Sequence, residues 1–338
     1  MRALRFNADF EERLSGKPPR PQLNATLEFF AFWLTNRPVF AHREYPSKYL
    51  DHIHSQTGSR PVVVTSGDAE DWWGQSKPED LMRSLNSKTE FLRWCQEHWP
   101  MQARVCENLE AIRACVLEGT YLIKASDGMS GRGHQRVTPA ELPQLIFRWK
   151  DPVVVEPLFR RTRDVSALWI AEENRFIYYA NEIDQRFQWR GSLLHRPTVA
   201  DPPSGTGDWS LRLEELQRSV AARGYTGPFS VDAFFYGEEG NEHFHPGSEM
   251  NPRKTMGWLA YQFAKEASAQ WVKLAMRPVV LSEETWANTV RNPSAQLLSP
   301  PLNPFVWYIV RAESAREVLA REAEFLKALP GAQARGKA

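Results

Sequence analysis

Glu249-Met250-Asn251-Pro252-Arg253, with Asp232 one predicted strand upstream, is the stretch that decides how this chain reads. Residues two apart on an extended segment point the same way, so Glu249 and Asn251 share a face. Asp232 sits in the middle of the apolar run from Phe229 to Tyr236, where aspartate is disfavoured. Phe229, Val231, Ala233 and Phe235 fall on one face, leaving Asp232 on the other with Ser230 and Phe234. An acid so placed needs a partner, either a buried salt bridge or a metal. Beside Glu249 and Asn251 it completes a set of three hard oxygen donors, the type Mg²⁺ prefers when it also shares phosphate oxygens. Arg253 adds a fixed-charge fork suited to a carboxylate or phosphate. The layout points to nucleotide chemistry.

The bulk composition narrows the field. With 42 Lys+Arg against 41 Asp+Glu, no global field calls for a nucleic-acid or membrane partner. The three cysteines, Cys95, Cys106 and Cys115, show no CxxC spacing and read as reduced thiols of a cytoplasmic protein. Met1 to Phe10 carries Arg2, Arg5 and Asp9 and lacks the apolar core of a signal peptide. The run Leu27 to Leu34 is too short to span a bilayer and reads as a buried helix.

Three regions are expected: a small α/β unit over 1–86, a central unit over 87–276, and a C-terminal extension over 277–338. In the first, Pro61 to Thr65 predicts a buried strand, and Trp72-Trp73 reads as a packed aromatic pair in preference to a pocket wall. Ser87 predicts a helix N-cap, with Glu90 three residues on. Tyr121 to Lys124 and Gln135 to Val137 read as strands around a glycine-rich loop, and Thr138-Pro139-Ala140-Glu141 as a helix start. Strands follow at 152–156, 164–169 and 175–180, then a helix over 211–222 ending at Gly224. Thr255 to Ala275 reads as one long amphipathic helix, and 312–329 as another, with a frayed tail after Pro330.

Several features bear on phosphate and base binding. The loop Gly128-Met129-Ser130-Gly131-Arg132-Gly133 is neither a P-loop nor a Rossmann fingerprint. Alone it reads as a hairpin turn or as a phosphate cradle. Lys124, at the end of the strand before it, is placed to hold a phosphate or simply to reach solvent. Lys88 opens a helix, where the dipole disfavours a cation unless a polyphosphate lies nearby. Glu156-Pro157-Leu158-Phe159 ends an apolar strand; Pro157 offers only a carbonyl, so Leu158 or Phe159 must supply any donor to adenine. Asp164, beside Arg163, reads as a ribose acceptor or as half of a surface ion pair. His243 and His245 share a strand face but read as part of a polar hairpin.

The order of these parts resembles the ATP-grasp superfamily: Ser87-Lys88, Lys124 with the glycine loop, Val153 to Glu156, Val231-Asp232, and Glu249 to Arg253. The likeness covers roughly residues 87–275, and 1–86 matches the small domain that precedes such a unit. It implies an α+β fold in which two subdomains, about 87–150 and 151–276, sandwich ATP. Lys88 and Lys124 would hold phosphates under a lid that includes Gly128, Ser130, Gly131 and Gly133. Glu156, Pro157, Leu158 and Phe159 would bind adenine and Asp164 the ribose. Asp232, Glu249 and Asn251 would hold one or two Mg²⁺, with Mn²⁺ able to substitute. Lys124 and Arg253 would act in catalysis, and Arg190 and Arg253 would meet a substrate carboxylate; Arg190 reads equally as half of a structural ion pair. The implied activity joins a small-molecule or peptide carboxylate to an amine through an acylphosphate, releasing ADP and phosphate. A small-molecule kinase or a non-catalytic nucleotide binder on the same fold are the alternatives.

Overall fold

The computed structural model describes residues 2–75, 78–127, 134–196, 201–238 and 240–330. Four short parallel strands, β1 (Ala3–Arg5), β2 (Val39–Phe40), β3 (Val63–Val64) and β4 (Ala69–Asp71), form the first sheet in the order β3-β2-β1-β4. Parallel neighbours need crossover connections. Helices α1 (Phe10–Leu14), α2 (Pro21–Leu27) and α3 (Phe29–Leu34) join β1 to β2, and α4 (Ser47–Thr57) joins β2 to β3. The buried helix expected over 27–34 is present but breaks at Glu28. That carboxylate is fully buried and accepts from the His42 backbone N–H at 3.0 Å and the Tyr45 hydroxyl at 3.0 Å. The strand expected over 61–65 is short and not buried: β3 is a sheet edge, and Val62 is 52% exposed.

Helices α5 (Glu79–Asn86) and α6 (Lys88–His98) lead to a second, antiparallel sheet. Ser87 caps α6 as expected, its Oγ accepting the Glu90 N–H at 3.2 Å. The sheet comprises β5 (Arg104–Cys106), β6 (Tyr121–Ala125), β7 (His134–Val137) and β8 (Val153–Pro157), in the order β5-β8-β6-β7. Helix α7 (Leu109–Cys115) packs Ile112 onto Ile123, Val153 and Val155. Strand β8, past residue 150, pairs with β5 and β6. The helix predicted from Thr138 is only a 3₁₀ turn, Leu142–Gln144. Pro143 supplies no N–H and disfavours helical geometry at Leu142.

The third sheet has eight antiparallel strands: β9 (Arg161–Ile170), β10 (Arg175–Ile183), β11 (Trp189–His195), β12 (Phe229–Glu238), β13 (Asn241–Asn251), β14 (Trp271–Arg277), β15 (Gln296–Leu297) and β16 (Val306–Ala312). Their order is β13-β12-β9-β10-β11-β14-β16-β15. The helix α8 (Trp209–Ala222) precedes β12, and Gly224 takes the expected left-handed φ of 92° after it. Here the long helix predicted over 255–275 is corrected. Helix α9 (Met256–Lys265) stops early, and Trp271 onward becomes β14, paired with both β11 and β16. Two ladders of backbone hydrogen bonds override a periodicity that suited either structure. The buried Lys273 on this strand is satisfied by Glu182 at 2.8 Å and Glu322 at 2.5 Å. The remaining helices are α10 (Glu283–Thr289) and α11 (Ala315–Lys327), the latter close to the helix expected at 312–329. No described helix is long and apolar enough to cross a membrane.

Candidate functional site

Strands β12 and β13 are neighbours, and their register sets Asp232 directly opposite Glu249 and Ser230 opposite Asn251. One step further on, Phe234 pairs with His245, so residues 246–248 stand against Ala233 alone. Such a bulge re-aims the side chains beside it. Gly247 at its centre lets α6 approach: a Cβ there would lie 2.7 Å from the Cys95 sulfur. That approach brings Lys88, at the start of α6, to the large sheet, where its Nζ donates to Glu249 Oε1 at 2.7 Å.

Asp232 is the most constrained of the group. Its Oδ1 accepts from Ser166 Oγ at 2.6 Å and its Oδ2 from Asn251 Nδ2 at 3.0 Å. Burial pushes its carboxyl up to about 6, helped by the negative charge of Glu249, while the Ser166 hydrogen bond resists the rise. Burial also acts to raise Glu249, but the Lys88 ammonium outweighs it and holds that carboxyl below its usual range. Two acids thus face one another, one of them short of positive charge. Among the described residues no three His, Cys, Asp or Glu side chains gather as a metal site. The candidate set is therefore two carboxylates and the Asn251 amide oxygen, which now accepts from Arg253 Nη2 at 3.0 Å. A hard dication fits this set, since it would take oxygen donors and offset both the burial and the Glu249 charge that raise Asp232.

The small sheet supplies a second charged pair. Lys124 on β6 and Glu156 on β8 lie 2.6 Å apart with both side chains 3% exposed, and Lys124 Nζ also donates to Ser248 Oγ at 3.2 Å. Burial lowers the Lys124 pKa, partly offset by Glu156. Glu156 is held low by Lys124 against the opposite pull of burial. Further along, the Leu158 N–H is engaged by Thr120 O at 2.8 Å. The Phe159 ring packs on Tyr236 at 4.3 Å and Phe234 at 5.5 Å. Asp164 accepts from Arg161 at 2.8 Å; burial raises its pKa and Arg161 opposes the rise.

One cavity of about 390 Å³ collects Lys124, Asp164, Asp232, Glu249 and Asn251 in its wall, together with Arg190 and Arg253. Lys88 joins through Glu249, and Glu156 through Lys124. Arg253 donates from Nε to Glu11 Oε1 at 2.8 Å, from Nη1 to the Lys254 carbonyl at 3.2 Å and from Nη2 to Asn251. Three of its five N–H groups are engaged by these bonds among the described residues. Arg190 is in an ion pair, donating to Asp184 Oδ2 from Nε at 3.0 Å and from Nη2 at 2.6 Å. The glycine-loop positions Gly128, Ser130, Gly131 and Gly133 lie outside the described residues.

Sequence reading missed several members. Trp73 stacks on Phe6 at 4.9 Å yet also lines the cavity, as do Trp189, Phe305 and Trp307. A hydrogen-bond chain crosses four strands: Trp189 Nε1 to Ser192 Oγ (2.9 Å), Ser192 to Asn181 Oδ1 (2.7 Å), Asn181 Nδ2 to Ser166 Oγ (2.7 Å), and Ser166 to Asp232. Every donor in it points toward Asp232, the arrangement that best supports a carboxylate at its end. The expected polar hairpin at His243 and His245 is half right. His243 is exposed, whereas His245 is buried, stacked on Phe234 at 4.4 Å, and pushed by burial down to about 4.

No protein-family model matches the chain, and no curated protein matches it. Solved structures match its fold at low identity. N5-carboxyaminoimidazole ribonucleotide synthetase from Thermus thermophilus is 13% identical over 87% of this chain and 82% of that one, with a TM-score of 0.52. The Staphylococcus aureus N5-carboxyaminoimidazole synthetase, complexed with ADP, is 12% identical over 84% of this chain and 86% of that one, with a TM-score of 0.51. Biotin carboxylase from Campylobacter jejuni is 13% identical over 86% of this chain and 74% of that one, with a TM-score of 0.50.

Proposed function

Because the chain has the ATP-grasp fold, we propose that it is an ATP-dependent ligase joining a carboxylate to an amine through an acylphosphate. The observation that carries this reading is Asp232 set against Glu249 in register, with Asn251 bonded to Asp232 and with Lys88, Lys124 and Arg253 around the pair. Adenine would lie between the two sheets, with its donor from the Phe159 N–H and an acceptor from the 156–157 backbone. Lys124 and Lys88 would turn from their carboxylate partners to the phosphates. Asp232, Glu249 and Asn251 would hold Mg²⁺, which supplies charge neutralisation for the transferred phosphoryl group.

In the first step a substrate carboxylate oxygen bonds to the γ-phosphorus and the bond to the β-bridging oxygen breaks, giving acylphosphate and ADP. In the second, the amine nitrogen bonds to the acyl carbon, phosphate leaves, and the nitrogen loses a proton. Arg253 would hold the carboxylate in line for the first step, and its two remaining N–H groups suit that task.

Purified protein incubated with ATP, Mg²⁺ and a pool of carboxylates and amines is expected to release ADP and phosphate in equal amounts. A phosphorylated product without free phosphate would instead make it a kinase. No ADP above background from any pool would remove the reading.

A further inference from the structure

The cavity has two unlike ends. Around Asp232, Glu249 and Lys124 it is charged, but beyond Arg253 its wall is built from Trp73, Trp189, Trp307, Phe305, Met276 and Leu27. These come from α2, the segment after β4, strands β11, β14 and β16 and, for Phe305, the residue before β16, so distant stretches of the chain converge on one apolar surface. Trp189 and Trp307 stack with ring centroids 5.5 Å apart and planes 22° from parallel. Phe30 braces Trp307 edge-on at 5.1 Å. Trp189 is also fixed by its N–H to Ser192, so the slot is held before any ligand enters.

A wall of this kind recognises apolar or aromatic bodies, and its few charged groups set their orientation. Arg253 stands at the aromatic end, its guanidinium carbon 5.8 Å from the Trp73 ring centre. Arg190 on the same wall is already neutralised by Asp184. We infer that the carboxylate substrate is amphipathic: its carboxylate is held by Arg253, and an aromatic or bulky apolar body lies against Trp73, Trp189 and Trp307. Small polar acids such as succinate would leave this surface uncovered. The inference rests on the ligase reading for which end is activated, but the binding preference stands apart from turnover.

The test is calorimetric titration of the full chain, with a non-hydrolysable ATP analogue and Mg²⁺, using propionate, succinate, 3-phenylpropionate and indole-3-propionate. The aromatic acids are expected to bind at least ~10-fold tighter than propionate, the size expected when an aromatic ring is buried and stacked. Trp189→Ala should cut that ratio several-fold, while Trp189→Phe should keep most of it. Both variants lose the N–H to Ser192, so their difference reports the ring alone; matched melting curves establish that each is folded. Equal binding of all four acids, tighter binding of succinate, or equal loss in both variants would overturn the inference. Aromatic preference without ADP formation would sink the ligase reading and leave this one standing. ADP formation with small polar acids alone would do the reverse.

Discussion

Asp232 and Glu249 face each other across one antiparallel ladder, and of the two only Glu249 has a cation bonded to it among the described residues. The consequence is an acid held up to about 6 by burial and by its neighbour, in the position where a metal is proposed to sit.

Asp232→Asn is expected to separate function from stability. Turnover should fall at least ~100-fold, the effect of losing roughly 3 kcal/mol of charge stabilisation. Stability should respond the other way in metal-free buffer. The folded carboxyl titrates near 6 and the unfolded one near 3.8, so the parent's stability is fullest below 3.8 and declines as pH rises toward 6. The variant lacks that decline. Melting curves in EDTA from pH 4 to 7 should show the variant gaining on the parent with rising pH; a variant that loses ground would contradict this.

Lys124 and Glu156 form a buried pair, so breaking it should cost more than removing it. Lys124→Met leaves Glu156 charged and unpaired and should destabilise by about 3 kcal/mol or more. Lys124→Met with Glu156→Gln should recover much of that loss in denaturant unfolding while ADP formation stays low. Additive losses in the double variant would show that the two are energetically independent.

On the proposed reading the donor to the base is the Phe159 N–H, because the Leu158 N–H is already engaged. Phe159→Pro should weaken nucleotide binding by about 1–2 kcal/mol beyond the effect of Phe159→Ala. The alanine change removes the ring packing on Phe234, Tyr236 and His245 but keeps the N–H. Titration with a fluorescent ADP analogue measures both, and equal affinities would move the donor elsewhere.

His245 is buried without a partner for either ring nitrogen among the described residues, and its folded pKa lies near 4 against 6.5 unfolded. A depressed pKa contributes stability that is complete above 6.5 and is lost as pH falls toward 4. His245→Phe should remove this acid sensitivity, since no polar group then needs a proton. Melting temperatures of parent and variant should diverge below pH 6.5 in the variant's favour; parallel curves would count against it.

Much of the site was legible because its side chains break local rules. Asp232 is an acid in an apolar strand, Lys88 a cation at a helix N-terminus, and Glu249 and Asn251 sit two apart on one face. What stayed hidden depends on tertiary pairing. Residues 271–277 carry an apolar pattern that suits helix or strand, and only β11 and β16 on either side make them a strand. The aromatic wall showed only in fragments, in the pocket alternative for Trp72-Trp73 and in the aromatic run around Trp189, because Trp73, Trp189 and Trp307 are far apart in sequence and line one cavity only when the sheets assemble. The chain from Trp189 to Asp232 uses Ser and Asn residues common on any strand, so nothing local marked them.

The most direct test of the central claim is anomalous scattering from crystals soaked with ADP and Mn²⁺. A manganese peak within coordinating distance of the Asp232 and Glu249 carboxylates and the Asn251 amide oxygen is the predicted result. ADP bound in the cavity with its manganese held away from all three residues would contradict the account.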